Sequence, residues 1–151
     1  TMGVRYTIAR LDDEVAEYLR DVGATIPQYD GLSRNPTPKE IREVCDTLTD
    51  LRVRCYSPPE HCWQVMIEGK NDPENEPWTI LNIHDFNGCE DDPHAIWFEK
   101  GWPSLILRIV QGLSVKCGPL VVIPDTGESP LAVSTADSVE HLLTMWEHTQ
   151  T

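Results

Sequence analysis

The 151-residue chain predicts a single α+β domain spanning residues 1–151, a largely antiparallel β-sheet with helices packed mainly on one face. Three observations carry that expectation. Segments alternating apolar and polar residues follow one another through short connections, which join antiparallel strands. Amphipathic stretches of helical period stand between and after them. No glycine-rich loop follows a strand and opens a helix, so neither a dinucleotide fold nor a phosphate-binding loop is indicated.

The elements follow in order. "VRYTIA" (Val4 to Ala9) alternates and is rich in β-formers, so it reads as a strand. "LDDEVAEYLRDVG" reads as a helix with Asp12 as N-cap and Gly23 at C′. Leu11, Val15, Tyr18, Leu19 and Val22 form its apolar face. Residues 24–36, with Pro27, Gly31, Asn35 and Pro36, read as a loop. "TPKEIREVCDTL" has the clearest start signal in the chain: Thr37 as N-cap, Pro38 at N1 and Glu40 at N3, a capping box. Ile41, Val44, Cys45 and Leu48 are its expected buried stripe.

"LRVRCYS" and "CWQVMIE" read as a hairpin turning at "PPEH", and "WTILNIH" and "AIWFE" as the next two strands. "WPSLILRIVQGLSV" starts a helix at Pro103 that is apolar on most sides and therefore buried. "PLVVIP" and "PLAVS" are strands around "DTGES". "ADSVEHLLTMWEHT" closes the chain as a helix with Val139, Leu142, Leu143 and Trp146 inward and Ser134 or Thr135 as its cap. The order is β-α-α-β-β-β-β-α-β-β-α.

Composition narrows the function classes. With 40% apolar and 25% charged residues the chain is globular rather than disordered. No apolar run approaches the ~20 residues of a membrane-spanning helix, and "TMGVRYTIAR" has no apolar secretory segment. The five cysteines are scattered, odd in number and without a CxxC pair, so neither a disulfide framework nor a zinc ribbon is expected. They suit a reducing cytoplasm, the expected location, as small buried apolar residues.

The net charge is −13, from 25 acids against 12 bases. Such a surface repels nucleic-acid phosphates and anionic lipids, so the expected partner is a basic protein, with no nucleic acid and no membrane. The acids cluster. From Asn71 to Glu99 there are eight acids and no Lys or Arg.

"HDFNGCEDDPH" (residues 84–94) sits in that window. His84, Cys89 and His94 are five residues apart and of zinc-ligating type, which makes a metal-dependent enzyme or sensor the alternative reading. A closed zinc site takes four ligands with cysteines in tight pairs, and that pattern is missing, so no cofactor is expected. Cys89 lies beside Glu90, Asp91 and Asp92, whose charges oppose thiolate formation. Asp125-Thr126-Gly127 also occurs at aspartic protease sites, which need two carboxylates sharing a proton. Pro124 before it and Glu128 after it depart from that pattern, and Asp and Gly between strands make an ordinary turn.

These residues lead to a non-enzymatic, cytoplasmic protein-binding domain. Its profile is that of acidic inhibitor or immunity proteins that neutralise basic, nuclease-type toxins. Asp85, Glu90, Asp91 and Asp92 are the expected contact acids, with Trp78 and Trp102, which begin their elements, as aromatic anchors.

Overall fold

Seven strands and four helices are formed by the residues that the computed structural model describes: 4–55, 64–71, 77–86 and 88–149, with Cys55 and 147–149 as backbone only. They are β1 (Arg5–Arg10), α1 (Asp13–Asp21), α2 (Pro38–Thr47), β2 (Leu51–Cys55), β3 (Gln64–Gly69), β4 (Trp78–Ile83), β5 (Ile96–Glu99), α3 (Pro103–Cys117), β6 (Leu120–Pro124), β7 (Leu131–Val133) and α4 (Val139–Thr149). One antiparallel sheet contains every strand, in the order β2-β3-β4-β5-β1-β6-β7. The fold is α+β, in the element order that the alternation and caps predict. The expected turn at "PPEH" and the side chains of Cys62 and Trp63 lie outside the described residues.

Side-chain alternation sorts the sheet into two faces. Tyr6, Ile8, Val65, Ile67, Leu81, Ile83, Ile96, Phe98 and Val122 point to one side, where α2, α3 and α4 cover them. α3 is the centre of this layer, with Leu105, Ile106, Leu107, Ile109, Val110 and Leu113 all buried. Trp146 of α4 meets the Tyr6 ring edge-on, the centroids 5.4 Å apart. The opposite face is half covered: α1 packs Ala16 and Leu19 over Val121 and Ala132. Arg52, Arg54, Met66, Glu68, Trp78, Ile80, Trp97 and Glu99 alternate with the helix-side residues and belong to neither core cluster.

Local rules account for most boundaries. The Asp12 carboxylate accepts from the Val15 N–H, and Gly23 follows with φ +77°. At α2 the box is complete: Thr37 Oγ1 accepts from Glu40 N–H and Glu40 Oε1 from Thr37 N–H. Three side chains depart from expectation. Tyr18 and Val22 are exposed: at about 100° per residue Tyr18 falls on the side of α1 away from the stripe of Ala16 and Leu19, and Val22 is the C-cap, past the last helical residue. Leu48 is only half-buried, since α2 ends there and Leu48 is its C-cap. The cap of α4 is Ser138, whose Oγ accepts from the His141 N–H. Ser134 is instead in the preceding turn, its carbonyl accepting from Asp137 N–H.

The loop before α2 is tied at two points. Ser33 Oγ accepts from Leu11 N–H at 3.0 Å and donates to the Pro119 carbonyl at 2.5 Å, joining the ends of β1 and α3. Arg34 grips both oxygens of Glu40 at 2.7 Å and donates to the Lys116 and Asn35 carbonyls. Arg34, then its hydrogen bond from Thr37 N–H, holds the Glu40 carboxyl down at about 2, against 4.5 for a free glutamate.

A carboxyl depressed in the folded state stabilises above its unfolded pKa and loses that contribution as pH falls through the folded one. Glu40→Gln should therefore cost about 2 kcal/mol at neutral pH, after discounting for the half-open Arg34. That cost should shrink between about pH 5 and pH 2, as read from urea melts of both proteins across that range. A difference independent of pH would show that the pair contributes nothing through ionisation. Thr37→Ala should cost about 1 kcal/mol at all these pH values, through the lost cap.

Candidate functional site: the β4–β5 loop

β4 and β5 pair antiparallel, and the acidic stretch is the loop that joins them. Its backbone is closed and pinned. The His84 N–H donates to the Ala95 carbonyl at 2.9 Å, continuing the hairpin ladder past Ile83. Asp85 then turns the chain with φ +54°, a conformation that Asp tolerates better than bulky residues. At the far end, His94 N–H donates to the Pro36 carbonyl, and the His94 ring places Nδ1 2.9 Å from the His84 carbonyl.

A second anchor reaches α2. Lys39 N–H, one of the unpaired donors of that helix's first turn, donates to the Glu90 carbonyl at 3.1 Å. The Glu90 carboxylate then takes both guanidinium nitrogens of Arg42, at 2.5 and 2.7 Å. That pair lowers the Glu90 pKa and raises that of Arg42. Glu90 is thus bound twice, by backbone and by side chain.

Asp85, Glu90, Asp91 and Asp92 are all exposed. Asp85 has 85% of its side-chain surface in solvent, with Oδ2 3.1 Å from His84 Nε2. Charge compensation from a partner is not required for Glu90, because Arg42 supplies it within the chain. Asp85, Asp91 and Asp92 have no Lys or Arg within 4.0 Å among the described residues.

The two tryptophans singled out by sequence are elsewhere. Trp78 opens β4, roughly 17 Å along the strand from Ile83, where the loop begins. Trp102, 46% exposed, is the N-cap of α3, and its N–H donates to the Trp78 carbonyl at 3.2 Å. The aromatic beside the acidic loop is Trp97. Its ring lies 6.1 Å from that of His84, and the Arg5 guanidinium stacks over it at 4.3 Å. The sequence patterns that single out Trp78 and Trp102 pass over Trp97. Its odd-register place in "AIWFE", opposite in phase to Ile96 and Phe98, was the signal that it leaves the core.

His84, Cys89 and His94 do not assemble. His84 is exposed, Cys89 half-buried and His94 buried against Phe86. Among the described residues no three His, Cys, Asp or Glu side chains are placed to hold a metal ion. Two other thiols are buried and held protonated: burial, then Asp46, pushes Cys45 up to about 12, and burial, then Glu40, pushes Cys117 to about 11. Asp125 of the Asp-Thr-Gly triplet lies in the β6–β7 hairpin, where its Oδ1 accepts from the Arg5 N–H at 3.1 Å.

No family model, curated protein or solved structure matches the chain. Among the described residues, no helix is long and apolar enough to cross a membrane.

Removing Arg42 tests the anchoring. In Arg42→Ala the Lys39 amide should exchange with solvent several-fold faster, because its acceptor is the Glu90 carbonyl, while global stability stays nearly unchanged as for other exposed ion pairs. Unaltered Lys39 exchange would show that the backbone contact holds the loop alone.

Proposed function

We infer that the chain is a non-enzymatic protein-recognition domain whose β4–β5 loop meets a basic partner. One observation carries this reading. The loop backbone is pinned at His84, Glu90 and His94, while the carboxylates of Asp85, Asp91 and Asp92 stand in solvent. Ordering such a loop in advance lowers the entropy that binding would otherwise cost. Fixed like charges on a chain of net charge −13 steer a basic protein toward it. Trp97, with His84 against it, supplies the adjoining aromatic surface.

Within this class, an inhibitor of a basic, phosphate-binding toxin fits the chemistry best, because a nuclease surface selected for phosphates also selects for carboxylates.

The test is affinity capture from the source organism's own lysate, followed by association kinetics with the captured protein. A basic partner is expected, and changing Asp85, Asp91 and Asp92 together to Asn should slow association about tenfold at low salt and flatten its salt dependence. Trp97→Ala should raise the dissociation rate instead. A captured partner that is acidic, or one whose association rate ignores the three substitutions, overturns the reading.

A further inference from the structure

The β2 end of the sheet carries a second surface, which meets the acidic loop at Phe86 and Glu90. Among the described residues β2 is the terminal strand of the sheet and pairs with β3 alone. The register and one hydrogen bond fix which of its backbone groups point outward. Leu51 stands opposite Gly69, so Asp50 stands opposite Lys70, and the Lys70 N–H donates to the Asp50 carbonyl. Antiparallel ladders alternate, so Arg52 and Arg54 spend their backbone groups on Glu68 and Met66. The N–H and C=O of Val53, and those of Cys55, point away from the sheet. Gly69 confirms the phase, its N–H turning the other way to the Pro77 carbonyl of the β4 side.

The two faces of this edge differ chemically. On the helix side, Val53 is 43% exposed and borders a cavity of about 180 Å³ lined by Ile41, Cys45, Val65 and Phe86 and by the charged Arg42, Asp46 and Glu90, of which Arg42 and Glu90 pair with each other. On the other side, Arg52 and Arg54 both reach one oxygen of Glu68, at 2.8 and 3.0 Å. Two guanidiniums share one carboxylate, which leaves one positive charge in excess. Arg52 and Arg54 keep 47% and 55% of their side-chain surface open.

We propose that β2 receives an extended segment of a partner protein as an eighth strand, with aliphatic side chains toward the Val53 groove and carboxylates toward Arg52 and Arg54. Strand addition draws affinity from the backbone and specificity from alternate side chains, and this edge offers both. Charge decides the occupant. A second copy pairing two-fold about Val53 would set Arg52 of each chain opposite Arg54 of the other, a like-charge pairing that opposes self-association. An acidic strand meets the surplus charge instead.

Synthetic capped peptides of about eight residues test this. One alternates Val and Glu, a second Val and Lys, and a third is the Val/Glu peptide N-methylated along one backbone edge. The Val/Glu peptide should shift and protect the Val53 and Cys55 amides in NMR spectra of the intact chain. It should bind at least about tenfold more tightly than the Val/Lys peptide at low salt, with the ratio falling as salt rises. The N-methylated peptide should not bind. Replacing both arginines (Arg52→Glu with Arg54→Glu) should invert the preference, and the peptide comparison stands alone if that variant does not fold. Equal binding of the two charge forms, undiminished binding of the methylated peptide, or an unprotected Val53 amide overturns the proposal. So does concentration-dependent dimerisation that protects the same amides without peptide.

Discussion

Burial of α3 against one face of the sheet is the constraint on which the other elements depend. That helix carries apolar side chains on most of its circumference, so neither the sheet alone nor a single neighbouring helix can cover it. α2 and α4 flank it and cover what the sheet leaves exposed. Once three helices occupy one face, strand alternation sends every second residue of β2–β5 to the opposite side. α1 reaches only the β6–β7 half of that side. The polar and aromatic residues of β2–β5 outside both core clusters are therefore a consequence of how the core is buried.

The same arrangement ties the acidic loop to α2 at Glu90. α2 must lie over β2–β4 to help bury α3, and its N-terminus then comes beside the β4–β5 connection. An unpaired N–H of the first helical turn and the partial positive charge there suit a carbonyl and an acid, which Glu90 provides together. An acidic loop with no helix end beside it would have only solvent to screen its charges. Here one carboxylate is neutralised internally, and Asp85, Asp91 and Asp92 are left outward.

The two strand ends of the sheet are managed differently. β7 is three residues long and fully buried, which protects it from pairing. β2 is longer, carries an exposed Val53 and displays arginines, a charge pattern that discourages copies of itself while leaving the edge accessible to something acidic. The acidic loop and the arginine face of β2 thus present opposite charges, with the Val53 groove between α2 and the sheet bordering both.

Local chemistry was sufficient for much of this. Asp12, the Thr37–Glu40 box and Pro103 are signals complete within one turn of helix, and strand phase follows from the period of two, so the sequence by itself determined the elements, their order and the α+β class. It also marked Asp85, Glu90, Asp91 and Asp92, all of which are exposed, since polar side chains in a short surface loop are solvated whatever the packing beneath. Position across the sheet was beyond it. Trp78 was chosen as an anchor because it begins its element, yet an extended strand carries it about 17 Å from the loop. Trp97 begins no element and so was not singled out, although its odd register placed it on the other face beside His84 and Arg5. The Arg42–Glu90 pair joins residues 48 apart, and the outward turn of Val53 depends on which strand lies last. Only the tertiary structure decided these, because pairing partners and edge positions are properties of how strands and helices are assembled, and no local pattern encodes the neighbour.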